Sequence, residues 1–246
     1  MKEKIYTIPV NEGFEADGEC AFCEMYKKLE EDALSYTLGP SYMEQDVRDI
    51  TNAKGFCREH YRIMYDAKNR LGLALMVSTH MAEIEKNMTD LLKREMQGKS
   101  RGGLFKKSEE SPMEEFAKKL DSSCAVCDKI DSNMERFFDT FFYLWKKEEE
   151  FRQRVLSSKG FCVQHFEALV RLSAEKLGAS EREKFLEGIA KIQSENFERV
   201  KEELLWFISK FDYRFQDRPW GNSKDSLKRA ILKVASYDTE KKFEKE

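Results

Sequence analysis

Proline, glycine and long apolar runs are all scarce in this sequence. It has only 4 Pro and 12 Gly in 246 residues, against 36% charged and 12% aromatic residues. This composition is typical of a soluble helical protein with a real core, not of a disordered or disulfide-framework protein. The longest apolar run, Leu73 to Val77, is too short to cross a bilayer, and Met1 to Phe14 lacks a signal-peptide apolar core. We therefore expect a cytoplasmic protein without membrane association.

The signatures of common enzyme and nucleic-acid-binding classes are also missing. We find no Gly-rich phosphate loop, no Ser-His-Asp order and no paired-carboxylate motif. The net charge of −3 gives no general attraction to nucleic acid or anionic membranes. The basic cluster from Lys99 to Lys107 lies in a Gly- and Ser-rich stretch without interleaved aromatics. We expect a solvated loop there. We also expect any nucleic-acid binding to be weak and salt-sensitive.

Cysteine and histidine are few, yet nearly all of them fall into two matching sets. The chain has 6 Cys and 3 His, and two similar stretches, Gly55 to His60 and Gly160 to His165, each follow a Cys-x-x-Cys pair. Three thiols and one imidazole complete a tetrahedral metal shell, and helix N-termini at these positions would favour thiolates. We predict two sites, each closed within its own half of the chain, and the spacing also leaves open that the pairs close across the halves. Their ligands would be Cys20, Cys23, Cys57 and His60 in the first site, and Cys124, Cys127, Cys162 and His165 in the second.

Zinc, at two ions per chain, suits these ligands best. An iron–sulfur cluster could use the same residues, but the close-packed ferredoxin-type cysteine run is missing. Glu24 and Asp128 follow the cysteine pairs where covalent haem attachment needs His, which excludes haem. No strand alternation supports a thioredoxin-like motif, and ligand-spaced cysteines without an export signal disfavour a disulfide framework.

One local pattern raises the alternative of catalytic zinc. His165-Phe166-Glu167 is similar to the His-x-Glu of zinc deaminases. In those enzymes the cysteine pair follows the histidine and one metal position stays open for water. Here the pair precedes the histidine and a fourth ligand closes the shell, so we predict structural zinc.

The order of predicted elements indicates an internal duplication. Lys4 to Val10 alternates weakly and predicts an extended arm, whereas apolar residues elsewhere recur at helical steps. Leu71-Gly72 and Leu177-Gly178 predict matching breaks between helices. We therefore predict an all-α fold of two homologous helical repeats, each held by a Cys3His site, with a C-terminal helix. The segments would be a first repeat (1–97), a flexible linker (98–112), a second repeat (113–216), and a loop with a capping helix (217–246).

Three stretches also carry a family resemblance. They are Lys4 to Glu12, Tyr36 to Met43 and Gly55 to His60. Together they resemble an uncharacterised bacterial family of domains of unknown function, with tandem Cys-x-x-Cys and Gly-Phe-Cys-x-x-His repeats over nearly the whole chain. The resemblance implies no activity or substrate, so the functional argument depends on the residues themselves.

The leading functional hypothesis is a non-enzymatic interaction or regulatory module with structural zinc. It would contact a protein partner through its helical faces or through the Arg214 to Asn222 loop. The alternatives are a thiol-based redox sensor that releases zinc on oxidation, an iron–sulfur protein, and an enzyme with a pocket between the repeats. The aromatic run from Phe137 to Trp145 could line a ligand groove, but core packing is the commoner role of such a run. We expect His80 to be a partly buried or surface residue rather than a ligand.

Overall fold

The computed structural model describes residues 4–97, 111–236 and 238–239. Within these residues the regular structure is helical throughout, with no strand, and the all-α prediction is confirmed. Short 3-10 turns supplement eleven α-helices. The helices are α1 (Lys4–Glu15), α2 (Ala21–Leu38), α3 (Gln45–Lys54), α4 (Arg58–Asp66), α5 (Arg70–Gln97), α6 (Pro112–Ser122), α7 (Ala125–Lys147), α8 (Glu149–Leu156), α9 (Val163–Lys176), α10 (Ala179–Ser209) and α11 (Ser226–Ala235). No described helix combines the length and apolarity that a bilayer crossing requires.

Helix α1 corrects the expectation of an extended arm. Tyr6, Val10 and Phe14 recur at four-residue steps, which places them on one helical face. Val10 and Phe14 are buried in the core. This four-residue spacing outweighs the weak alternation before Val10, and Pro9 does not break the helix.

The same order of helices occurs in each half of the chain. A leading helix precedes each Cys-x-x-Cys pair, and a long helix, a shorter helix, a Gly-Phe-Cys loop and two more helices follow. These elements are α1 to α5 in the first half and α6 to α10 in the second. One predicted match is wrong: residues 67–69 separate α4 from α5, and Leu71-Gly72 lies inside α5. Leu177-Gly178 does separate α9 from α10.

The described residues form two compact units. The terminal unit combines the described residues up to Leu29 with those from Ser132 onward, and the central unit runs from Glu30 to Asp131. The boundaries fall inside α2 and α7. Each unit therefore takes helices from both halves of the sequence, and its limits differ from the predicted segments 1–97 and 113–216.

An aromatic cluster fills the core of the terminal unit. Phe22 stacks on Phe138 with ring centroids 4.4 Å apart, and Phe141 lies 5.8 Å from Phe14 and 5.6 Å from Phe151. The aromatic run on α7 is therefore core, as the sequence indicates. The buried aromatics of this cluster are Phe14, Phe22, Phe138, Phe141, Phe142, Trp145, Phe151, Phe161 and Phe185.

The central unit has a smaller, mainly aliphatic core. It includes Leu34, Phe56, Ile63, Met64, Met76, Val126 and Ile130, all buried. Further along α5, the apolar side chains of Met81, Met88 and Leu92 are exposed. The core of this unit thus surrounds the start of α5 and leaves the later turns of that helix outside.

Candidate metal centres

All eight predicted ligands lie at the first turns of four helices. Each Cys-x-x-His pair places its cysteine as the N-cap of α4 or α9. The Cys162 sulfur accepts a hydrogen bond from the His165 backbone N–H, and the Cys124 sulfur accepts one from the Cys127 N–H, both at 3.4 Å. These donors and the helix dipole both favour thiolates at these positions.

A left-handed glycine begins each Gly-Phe-Cys loop. The φ angle is +60° at Gly55 and +74° at Gly160, a region that side chains rarely adopt. A Cβ on Gly55 would also lie 2.3 Å from the His80 ring, so His80 packs directly on this loop. His80 belongs to neither ligand cluster, as expected, but it is buried rather than surface-exposed.

The second loop is held by a different side chain. Gln193 on α10 accepts a hydrogen bond from the Phe161 N–H at 2.9 Å and donates to the Phe161 carbonyl at 3.0 Å. Phe161 itself is fully buried. The long helices α5 and α10 therefore each fix one ligand loop, through His80 and Gln193 respectively.

The terminal site lies in the terminal unit. The Sγ atoms of Cys20 and Cys162 are 3.8 Å apart. The Nδ1 atom of His165 lies 3.5 Å from Cys20, 3.5 Å from Cys23 and 3.1 Å from Cys162. The four residues of the terminal site are Cys20, Cys23, Cys162 and His165.

The central site lies in the central unit and has the same composition. The Nδ1 atom of His60 lies 3.2 Å from the sulfurs of Cys57 and Cys124, and 3.4 Å from that of Cys127. The Cys57 and Cys127 sulfurs are 3.9 Å apart. The four residues of the central site are Cys57, His60, Cys124 and Cys127.

The structure brings all eight predicted ligands together, but the predicted pairing within each half is wrong. Cys20 and Cys23 join the second Cys-x-x-His pair, not Cys57 and His60. Cys124 and Cys127 join the first Cys-x-x-His pair, not Cys162 and His165. The two sites are therefore nested along the sequence, with the central site enclosed between the parts of the terminal site.

Hydrogen bonds to two main-chain carbonyls explain the pairing at the central site. The Ala125 N–H donates to the Gly55 carbonyl at 3.0 Å, and the Ser123 hydroxyl donates to the Lys54 carbonyl at 2.7 Å. The second Cys-x-x-Cys turn thus docks directly on the first Gly-Phe-Cys loop. These contacts join segments that are distant in sequence, and the Cys spacing does not specify them.

Both clusters have the dimensions of a tetrahedral metal site. Bonds of about 2.3 Å to sulfur and 2.0–2.1 Å to nitrogen place two sulfurs about 3.8 Å apart, and a sulfur and a nitrogen about 3.5 Å apart. The Cys20–Cys162 and Cys57–Cys127 separations are 3.8 and 3.9 Å. All ligand atoms of a cluster lie within 4.8 Å of one another. Each cluster can therefore hold one metal ion with four protein ligands.

Contacts among the sulfurs lower the pKa of one cysteine in each site. Hydrogen bonds with Cys20 and Cys23 lower the pKa of Cys162. The hydrogen bond with Cys127 lowers the pKa of Cys124 to about 3. Each site therefore contains a thiol that readily becomes the thiolate that metals bind.

A buried carboxylate supports the histidine of the central site. Glu30 Oε1 lies 3.1 Å from His60 Nε2, and both side chains are almost fully buried. Burial alone would lower the pKa of His60, but hydrogen bonds with Cys124 and Glu30 raise it to about 10. Because Nδ1 faces the sulfurs, Nε2 is free to donate to Glu30. This carboxylate–histidine pair orients the ring and increases its basicity as a ligand.

The histidine of the terminal site has aromatic neighbours instead. The His165 ring lies 5.6 Å from the Phe22 ring and 6.3 Å from the Phe138 ring, measured between centroids. Burial would lower the pKa of His165, but hydrogen bonds with Cys162 and Cys20 raise it to about 10. The ring is thus positioned by packing, whereas His60 is positioned by an ionic hydrogen bond.

Helix α11 supplies polar support to the terminal site. The Ser236 hydroxyl lies 3.0 Å from the Cys162 sulfur and 2.5 Å from Gln164 Oε1, and its one proton can donate to either acceptor. The Lys233 ammonium, 1% exposed, donates to the carbonyls of Glu19 and Lys159, which precede the two ligand segments. Burial lowers the pKa of Lys233, although the Glu19 carboxylate, 3.3 Å away, opposes that shift. One buried side chain therefore links both ligand segments of this site.

Sequence reasoning missed Glu30, Lys233 and Ser236. Glu30 follows Cys23 by seven residues, so it lies on the same face of α2, but many glutamates occupy comparable positions. Lys233 lies on the buried face of α11 with Ser226, whereas the apolar residues Leu227 and Val234 of this helix are exposed. The apolar pattern of the helix therefore does not identify its buried face, and Ser236 carries no signal either.

Replacement of Glu30 tests its role at the central site. We expect Glu30→Gln to weaken metal binding at that site about 10- to 100-fold, because the neutral amide no longer increases the basicity of His60. Binding at the terminal site should not change. Competition against a chelator of known affinity measures both constants. Glu31→Gln, on the exposed side of the same helix, is the matched control, and an equal loss in both variants would contradict the assignment.

Comparison with known proteins assigns the chain to a family but indicates no activity. No curated protein and no solved structure matches it. A family model matches residues 1–241, which confirms the resemblance to a family of unknown function. The chain belongs to the family of unknown function DUF6062.

Proposed function

We propose that this protein is a cytoplasmic, non-enzymatic interaction or regulatory module that binds two structural zinc ions. Each ion would hold the N-termini of two helices together, one from each half of the chain. The helical surfaces so fixed would then contact a protein partner. In this role the metal maintains a binding surface and takes part in no reaction.

The observation that carries the proposal is the closed shell of three sulfurs and one nitrogen in each site. Zinc enzymes keep one coordination position for water or substrate, whereas structural zinc sites use four protein ligands. The protein ligands of an iron–sulfur cluster are divided among two or more irons, so some of them lie further apart than the ligands of one ion. Ligand atoms that all lie within 4.8 Å of one another favour a single ion.

A protein is the partner best suited to the described surface. Apolar side chains of α5 are exposed at successive turns, including Met81, Met88 and Leu92. Solvent-exposed apolar patches are typical of protein–protein contact sites. The net charge of −3 argues against a general role in nucleic-acid binding, and the Lys99 to Lys107 cluster lies outside the described residues.

Metal analysis of pairs of substitutions tests both the ions and their ligands. We expect two zinc ions per chain, and the loss of about one with Cys57→Ser or with His165→Ala. Combining Cys57→Ser with Cys124→Ser should still remove only one ion, because both residues belong to the central site. Combining Cys57→Ser with Cys20→Ser should remove both ions.

Mass spectrometry under native conditions gives the stoichiometry, and optical spectra show whether an iron–sulfur chromophore is present. Fewer than two zinc ions in the unmodified protein, or a visible chromophore, would overturn the proposed function. If the double variant Cys20→Ser and Cys57→Ser loses only one ion, both residues belong to one site, and the pairing within each half is correct.

A further inference from the structure

The two sites differ in how far their closely spaced sulfurs are exposed. In the terminal site the close pair is Cys20 and Cys162, and both residues are 0% exposed. In the central site the close pair is Cys57 and Cys127, and both are only partly buried. Cys57 and Cys127 are therefore two partly exposed residues whose sulfurs lie 3.9 Å apart, whereas in the terminal site only Cys23 is partly exposed.

The groups around the sulfurs also differ. In the terminal site the Ser236 hydroxyl, which also contacts Gln164, can donate to Cys162, and the Lys233 ammonium, 3.3 Å from the Glu19 carboxylate, lies against the adjacent backbone. Hydrogen-bond donors and positive charge withdraw electron density from a thiolate and make it a weaker nucleophile. In the central site the nearby buried charge is the Glu30 carboxylate, behind His60. That carboxylate makes the imidazole a stronger donor, which leaves more electron density on the metal-bound sulfurs.

We propose that Cys57 and Cys127 form an oxidation site for hydroperoxides, and that the terminal site keeps its metal under the same conditions. The inference rests on the proposed zinc occupancy and assigns different roles to the two ions. Both ions would hold their helices together in the reduced protein, but the central ion would be released on oxidation whereas the terminal ion would be retained. Accessible thiolates next to a resolving cysteine are the general requirement for such a site.

The reaction consumes one hydroperoxide and two thiolates. One thiolate attacks the peroxide oxygen, which breaks the O–O bond and gives a sulfenic acid and a hydroxide or alkoxide. The second thiolate attacks the sulfenic sulfur and expels hydroxide, and a disulfide forms. Two protons from the buffered solvent convert the released anions to two waters, or to water and an alcohol. The sulfurs lose two electrons, the peroxide gains two, and Zn²⁺ leaves because it has lost two ligands.

The disulfide would have a specific consequence for the chain. Cys57 begins α4 in the first half and Cys127 lies in the first turn of α7 in the second half. To bond, their sulfurs must move from 3.9 Å to about 2.05 Å. Oxidation therefore exchanges a metal link between the two halves for a covalent one.

The test uses the full-length protein loaded with zinc and treated with hydrogen peroxide. A chromogenic chelator follows zinc release, and free thiols are then alkylated and mapped by mass spectrometry. We expect one zinc equivalent to leave several-fold faster than the other. At that stage Cys57 and Cys127 should be joined, while Cys20 and Cys162 should remain reduced. Equal release rates, earlier release from the terminal site, or a disulfide between Cys124 and Cys127 would each overturn the proposal.

A variant of the terminal site tests the shielding argument independently. Ser236→Ala removes the hydroxyl that donates to Cys162, and we expect it to speed zinc release from the terminal site several-fold. Ser209→Ala is the matched control, because that hydroxyl donates to a carbonyl within α10 at 2.9 Å. An unchanged rate in Ser236→Ala would show that this hydroxyl does not protect the site. A protein purified without two zinc ions would contradict the proposed function itself, and the order of release would then not arise.

Discussion

Cutting the chain between its halves should leave them associated as long as both metal ions are bound. Each site takes one cysteine pair and one Cys-x-x-His pair from different halves, so both ions connect residues before Gly98 to residues after Glu110. A recognition sequence for a specific protease, inserted between those two positions, allows the cut after folding. Size-exclusion chromatography and native mass spectrometry should then find both fragments and two zinc ions in one particle.

Removal of the metal should strongly weaken this association. Structural zinc contributes apparent free energies of about 10–16 kcal/mol in zinc-finger peptides, as much as the entire stability of a typical domain. The uncut protein treated with the same chelator is the control. It shows how far loss of the metal unfolds the chain when the two halves cannot separate. Fragments that separate with their zinc still bound would show that each half closes its own site.

Loss of one terminal ligand should destabilise both ends of the chain and spare the middle. We expect Cys20→Ser to reduce amide protection by several kcal/mol in the described residues up to Leu29 and from Ser132 onward, because these residues form the unit that contains the terminal site. Residues from Glu30 to Asp131 should keep most of their protection. Hydrogen exchange with zinc present, resolved by peptide, is the measurement.

Cys124→Ser is the matched experiment at the central site and should give the converse pattern. Protection should then fall between Glu30 and Asp131 and persist at both ends. A loss confined to the first half of the sequence in Cys20→Ser would support the pairing that the sequence suggests. An equal loss everywhere in both variants would mean that the two units unfold as one.

The eight residues of the two clusters could be predicted because a metal site of this type requires thiolates and imidazole at short spacings. The helices that carry them could be predicted as well, since their apolar residues recur at three- and four-residue steps. The sequence does not predict which Cys-x-x-Cys pair joins which Cys-x-x-His pair. Cys20 and Cys162 are 142 residues apart, several times further than Cys20 and Cys57. Each doubling of a loop adds only about 0.6 kcal/mol, so chain entropy penalises the longer closure by roughly 1 kcal/mol.

The pairing depends on tertiary contacts between residues that are distant in sequence. Phe14 and Phe22 from the first half pack with Phe138, Phe141 and Phe161 from the second, and this places Cys20 beside Cys162. No local pattern specifies which distant ring an aromatic side chain will contact. The polar support from Glu30 and Lys233 was missed for the same reason, because their partners are distant in sequence.

The nested order of the sites has a consequence for synthesis on the ribosome. The central site needs residues only up to Cys127, so it can close while the second half is still emerging. The Cys20 and Cys23 pair is made first but lacks its partners until His165 appears, 145 residues after Cys20. At about 5–20 residues per second, this pair waits roughly 7–30 s with its thiols unprotected. The earliest ligands of the nascent chain are therefore the last to be satisfied, and during that interval they are open to any other metal or thiol in the cell.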